Sequence, residues 1–170
     1  VKFGDIHVVF SSKDRNFDRV PTQAELDIRP DADYFYICAN NTIYGTEYQY
    51  DPETPAGVPL VADMSSNILS KPVDVSKYGV IYAGAQKNMG PAGVTVVIVR
   101  EDLLGSYPLE KYPVMLDWQT MANKGSMYNT PPTYGIYVLG LVLEWVEQMG
   151  GVKVMQERAE KRSSMLYDYL

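Results

Sequence analysis

Along the chain, four short apolar runs alternate with polar loops. They are Asp33-Tyr-Phe-Tyr-Ile-Cys38, Val58-Pro-Leu-Val-Ala62 ending in Asp63, Gly79-Val-Ile-Tyr-Ala83, and Val94-Thr-Val-Val-Ile-Val99. Runs of four to six apolar residues rich in aromatic and β-branched types predict strands, and their continuity predicts burial on both faces, as in a parallel sheet. Each is followed by a polar or glycine-rich loop at its carboxyl end, the end at which open α/β sheets gather ligands. Thr42, Asp63 and the segment after Ala83 are therefore expected to converge. Ahead of the first strand, Thr22 to Leu26 reads as a short helix placed after Pro21. Asn40-Asn41-Thr42 and Tyr50-Asp-Pro-Glu-Thr-Pro read as loops.

The last third changes period. After Pro131-Pro132, Ile136, Leu139, Val142 or Leu143, and Val146 recur at helical spacing up to Met149, and Gly150-Gly151 form a stop. A second helix from Val152 to Leu170 carries Met155, Ala159, Leu166 and Leu170 on one stripe and has no stop signal. This, with the opening Val1-Lys2-Phe3, reads as the middle of a longer chain. The fold class expected is α/β, a mostly parallel sheet flanked by helices.

Composition narrows the chemistry. The 170 residues include 15 basic and 21 acidic side chains, a net charge of −6, with one histidine and one cysteine. An acidic balance argues against a nucleic-acid partner, which needs a basic face. The longest apolar stretch, Ile136 to Val146, is too short for a membrane span and holds Glu144. No signal-peptide pattern opens the chain, so the cytoplasm is the expected location. Cys38 has no disulfide partner and His7 no second imidazole, so neither a metal site nor a histidine-based nucleophile is expected. His7 reads as a surface or strand-end residue, and Cys38 as a structural residue of an apolar strand.

Two residues stand out. In Ala83-Gly-Ala-Gln-Lys-Asn-Met-Gly-Pro-Ala-Gly93, Lys87 sits among glycines, alanines and an amide directly after an apolar strand. An ammonium is a poor nucleophile, so covalent chemistry at a lysine needs a setting that favours the free amine. Small neighbours would let a flat cofactor approach the backbone. The bland alternative is a solvated loop lysine. Asp63 ends a strand, where a carboxylate needs a positive or hydrogen-bonding partner; the alternative is a turn or N-cap aspartate. The two lie 24 positions apart on successive strand ends.

Together with Asp63-Met-Ser-Ser-Asn-Ile-Leu-Ser-Lys-Pro72 and Tyr128-Asn-Thr-Pro-Pro132, this segment resembles the phosphoserine aminotransferase family of fold-type I, class V pyridoxal-phosphate enzymes. The resemblance covers essentially the whole chain. It implies that residues 1–149 are part of the large cofactor domain, and that 150–170 lead toward a small C-terminal domain outside the chain. It also implies that Lys87 holds the cofactor covalently and moves the proton at the substrate Cα, and that Asp63 faces the pyridine nitrogen. Thr42 would meet the cofactor's phenolic oxygen, with Gln86 a contact beside the lysine. Asn129 and Thr130 would reach the cofactor phosphate of the neighbouring subunit, which implies a homodimer with shared active sites. The implied reaction moves the amino group of L-glutamate to 3-phosphohydroxypyruvate, giving O-phospho-L-serine and 2-oxoglutarate in L-serine biosynthesis. An alanine–glyoxylate aminotransferase, a cysteine desulfurase and a catalytically incomplete piece are the alternatives. Asn41 departs from the family, in which many members carry an acidic residue. The stacking aromatic and the basic substrate clamp are expected outside these 170 residues. Arg15, Arg19, Arg29, Arg100, Arg158 and Arg162 match no substrate motif and read as surface or ion-pair residues.

Overall fold

The structure is a computed structural model that describes residues 4–105 and 112–170. In chain order its strands are β1 (Phe35–Cys38), β2 (Asn40–Asn41), β3 (Thr46–Glu47), β4 (Leu60–Asp63), β5 (Val80–Gly84) and β6 (Thr95–Val99). Four of them form one sheet, β1, β4, β5 and β6 side by side in that order. β1, β4 and β5 run parallel, and β6 returns antiparallel to β5. Between β1 and β4, the strands β2 and β3 pair as a small hairpin where the polar composition predicts a loop. Two residues per strand leave no periodicity to detect, and polar Asn and Thr carry little strand signal in so short a run.

One face of the sheet is packed over β1, β4 and β5, while Ile98 of β6, opposite Ile81, is 41% exposed. Phe35, Ile37, Leu60, Ala62, Ile81 and Ala83 are buried along it, with Leu60 and Ile81 each 1% exposed. Val9, Leu26, Ile28 and Tyr48 pack against this cluster. Each fully buried Leu or Ile contributes on the order of 1.5–3 kcal/mol. The other face carries Tyr36, Cys38, Asp63, Tyr82 and Val97, and among the described residues it is only partly covered: Tyr36 is 47% exposed. The expectation of strands buried on both faces is corrected for this side. An apolar run cannot distinguish a position already packed from one left open.

Gly79, just ahead of β5, is required by space. A Cβ there would stand 2.5 Å from Pro59 Cβ and 2.9 Å from Leu103 Cδ1. Pro59 cannot retreat, because its carbonyl accepts the Phe35 N–H at 3.0 Å. Gly79→Ala is therefore expected to cost about 1–3 kcal/mol of overpacking, read as a lowered Tm of the purified protein; an unchanged Tm would refute the steric account.

The helices follow. Residues Trp118–Asn123 form α1, capped by Asp117, whose carboxylate accepts the Gln119 and Thr120 N–H groups. α2 (Thr133–Gln148) starts directly after Pro131-Pro132 and packs Leu139 against the loop at Gly90, where a Cβ would meet Leu139 Cα at 3.4 Å. Of its expected stripe, Val146 is buried and Leu139 and Val142 half-buried, whereas Ile136 and Leu143 are exposed. α3 (Gly151–Tyr167) begins one residue earlier than expected and ends before Leu170. Gly150, at φ +103°, makes the break between α2 and α3. The short helix expected over Thr22–Leu26 is a single 3-10 turn, Gln23–Glu25, with Thr22 and Leu26 at its ends.

Candidate active site

The three parallel strands end at one edge, where register aligns the last residues of β1 and β4 with Tyr82 of β5, which continues two residues to Gly84. Cys38 pairs with Asp63, and Asp63 with Tyr82. Beyond β5 the chain closes a tight turn. The buried Ala85 carbonyl accepts the N–H groups of Met89 and Gly90, both at 2.9 Å, and Met89 is itself 3% exposed. With Ala85 and Met89 anchored in the interior, Gln86, Lys87 and Asn88 project outward. Lys87 Nζ donates to Thr42 Oγ1 at 2.8 Å. Thr42 follows β2 at the tip of the hairpin, in a turn shaped by Asn41 Oδ1, which accepts the Ile43 and Tyr44 N–H groups at 3.2 and 3.3 Å. The Asn41 carboxamide oxygen thus shapes the turn that carries Thr42.

Asp63 is half-buried. Its Oδ1 accepts the Ser65 N–H at 2.8 Å, and Ser65 Oγ in turn accepts the Gly84 N–H at 3.0 Å. The turn-aspartate alternative is thus correct for one oxygen. Among the described residues Oδ2 has no hydrogen-bond partner, so it is available to a cationic ligand group. The Gln86 carboxamide lies over Gly84, where a Cβ would stand 2.7 Å from Gln86 Oε1. Ala83 and Ala85 flank it, both buried.

Cys38 lies in β1 as expected and is exposed, and its Sγ donates to the Asn40 carbonyl at 3.2 Å. Desolvation raises its thiol pKa, the Asp63 carboxylate adds to that, and Asn40 and Lys87 pull the other way. The net rise disfavours a thiolate, which fits poorly with a nucleophilic role. Across the same face Tyr36 and Tyr82 share a hydroxyl–hydroxyl hydrogen bond of 3.2 Å. Burial first, then that bond and the nearby Asp63, push the Tyr36 phenol up, so it stays protonated.

Asn129 and Thr130 are exposed on the loop before α2, and among the described residues no hydrogen bond links them to Lys87, Thr42 or Asp63. His7 is exposed, and the described residues hold no cluster suited to a metal ion. Arg15, Arg19, Arg29 and Arg100 form ion pairs with Asp18, Glu25, Asp5 and Asp102. Ser65, Ser66, Asn67, Glu47 and Lys71, which tie the site together, do not stand out as site residues in the sequence. A hydroxyl two residues after a strand-end aspartate is the available signal for Ser65; the others depend on contacts between residues 20 to 26 positions apart.

The chain is 50% identical to a phosphoserine aminotransferase of Herminiimonas arsenicoxydans over 169 residues, 99% of this chain and 46% of that protein. The solved phosphoserine aminotransferase of Bacillus circulans subsp. alkalophilus superposes with a TM-score of 0.94 at 45% identity, covering 98% of this chain and 46% of that one. A PLP-bound phosphoserine aminotransferase from Trichomonas vaginalis superposes with a TM-score of 0.83 at 39% identity, covering 89% and 44%. The chain thus spans about half the length of the curated relatives it matches. The aminotransferase class-V family matches residues 2–170, and the chain belongs to that family.

Proposed function

We propose that the full-length protein carrying this chain is a pyridoxal-phosphate-dependent phosphoserine aminotransferase. It would transfer the amino group of L-glutamate to 3-phosphohydroxypyruvate, giving 2-oxoglutarate and O-phospho-L-serine, a step of L-serine biosynthesis. The observation that carries this reading is the 2.8 Å contact between Lys87 Nζ and Thr42 Oγ1 at the same sheet edge as Asp63, in a chain half identical to phosphoserine aminotransferases.

The side chains present fit the cofactor. An amine, a hydroxyl and a carboxylate with an unengaged oxygen converge beside small residues, matching an aldehyde, a phenolic oxygen and a basic ring nitrogen. Bound pyridoxal phosphate supplies a carbonyl carbon for covalent attachment of amines and a ring that withdraws electrons from the attached carbon. Lys87 would be the group that attaches the cofactor, yields to the incoming amino acid, and then takes and returns the proton at its Cα. Asp63 Oδ2 would hold the ring nitrogen protonated, and Thr42 would orient the phenolic oxygen after Lys87 moves away. Gln86 would contact the cofactor beside Lys87.

Asn129 and Thr130 would donate to the cofactor phosphate of a partner protomer in a homodimer. Their exposure, and the lack of hydrogen bonds to the other site residues among the described residues, leave their polar groups accessible for this. Residues 1–149 would form part of the large domain, with α3 within 150–170 leading to a small domain. Among the described residues no helix is long and apolar enough to cross a membrane; a cytoplasmic location is part of the proposal.

The test is turnover by the purified full-length protein with pyridoxal phosphate present. Glutamate with 3-phosphohydroxypyruvate is expected to exceed alanine with glyoxylate by at least about 100-fold in kcat/KM. The reverse preference would reject the phosphoserine assignment while leaving class-V membership intact.

A further inference from the structure

We propose that Glu47, Asn67 and Lys71 form a positioning cluster that holds the Thr42 hydroxyl at Lys87, so that the lysine's chemistry depends on residues that touch neither cofactor nor substrate. This rests on the reading of Lys87 given above.

The hairpin that carries Thr42 is short. Its strands are two residues each, far short of what an isolated hairpin needs, and Ile43 at its tip is 87% exposed; its apolar contacts are the Tyr44 ring, 4.9 Å from Phe17, and Tyr48 against the core cluster. The Asn41 side chain shapes the turn but does not locate it relative to Lys87. Polar contacts to the hairpin come from the connector of residues 64–71 that follows β4. Glu47 Oε1 accepts a hydrogen bond from Asn67 Nδ2 at 2.9 Å and pairs with Lys71 Nζ at 3.0 Å. Lys71 Nζ also donates to the Tyr48 carbonyl at 3.0 Å, and Ser66 Oγ donates to the Asn40 carbonyl at 3.0 Å. Both strands of the hairpin are thereby tied to one connector.

The same connector grips the other two site residues. Its Ser65 N–H holds Asp63, its Ser65 hydroxyl accepts the Gly84 N–H, and its Ile68 carbonyl accepts a hydrogen bond from Asn88 Nδ2 at 2.7 Å, one residue beyond Lys87. Thr42, Asp63 and Lys87 are therefore indexed to a common bracket. Within it, Asn67 is 8% exposed and the Glu47–Lys71 pair is partly shielded, so these contacts are stronger than surface ones. Burial pushes the Glu47 carboxyl up, but the hydrogen bonds from Asn67 and Lys71 and the ammonium's charge outweigh it and hold the group below its ordinary range.

The test uses Glu47→Ala, Glu47→Gln and Lys71→Met in the full-length holoenzyme, with Thr42→Val as the reference. Two quantities are read: amide hydrogen exchange at Gly45 and Tyr48, and the pH midpoint of the cofactor's absorbance band. Glu47→Ala and Lys71→Met are expected to speed exchange about tenfold and to move the midpoint in the direction of Thr42→Val by at least half as much. Glu47→Gln, which keeps an acceptor oxygen for Asn67, is expected to stay close to the parent on both. Lys71→Met keeps the aliphatic stem and serves if Glu47→Ala does not fold. Unchanged exchange overturns the proposal, as does a lowered Tm with an unmoved midpoint, which would reduce the cluster to a structural one. A parent protein without a cofactor band rejects the cofactor reading instead, and the exchange result then decides alone whether the cluster braces the hairpin.

Discussion

Lys87→Ala in the full-length protein is expected to abolish the absorbance of covalently held cofactor and to lower kcat/KM by at least about 10⁴-fold. Two functions are lost with one amine. A positioned acid–base group contributes about 10²–10⁴-fold, and the covalent attachment that Lys87 would provide disappears with it. The fold should not suffer. Lys87 is exposed, and the turn around it is held by the Ala85 carbonyl and the buried Met89, neither of which the substitution touches. Tm of the cofactor-free protein should change by less than about 2 °C, within the range of surface substitutions. Lys87→Arg sharpens the test, because a guanidinium keeps the positive charge near Thr42 but cannot serve as a neutral amine. It should behave like alanine. A variant of either kind that retains the band after exhaustive dialysis would reject Lys87 as the attachment point.

The second large effect is expected at Asp63. Asp63→Asn keeps an oxygen to accept the Ser65 N–H but removes the charge proposed to face the ring nitrogen. Breaking a shielded charge pair from one side costs about 3–5 kcal/mol, and each 1.36 kcal/mol is tenfold, so kcat should fall by roughly 10²–10³-fold or more. Asp63→Ala should lose as much activity and also stability, since the Ser65 N–H is then left without its acceptor, at about 1–3 kcal/mol. The pair separates charge from architecture: equal activity losses with unequal Tm identify the carboxylate's charge as the working feature. Asp63→Asn with near-parental kcat would reject the ring-nitrogen role.

Much of this arrangement is legible in the order of residues alone. Strand-end positions are visible because a buried strand is a continuous apolar run and its end is where polarity returns; Asp63 and the Lys87 turn follow from that pattern. The C-terminal helices are equally visible, since the 3.6-residue period of Ile136, Leu139 and Val146 survives at any distance from the sheet. Cys38 belongs to an apolar strand and is nevertheless exposed, for a related reason. An apolar neighbourhood in sequence says nothing about which sheet face is covered, and Cys38 lies on the open one, beside Asp63.

The hairpin at Thr42 is legible only as a polar loop. Of its four strand residues, Asn40 and Glu47 are held by partners 20 to 26 positions along the chain, and the contact from Lys87 to Thr42 spans 45 positions. Nothing local encodes such a distance. By itself, then, the sequence determined most of the strand and helix content, the residue types available for chemistry and the family resemblance, because these depend on local pattern and side-chain identity. Tertiary structure alone decided that Thr42 meets Lys87, that one Asp63 oxygen is bound and the other open, and that the connector after β4 braces all three. Those outcomes depend on register and on hydrogen bonds between segments distant in the chain, whose geometry exists only once the sheet has assembled.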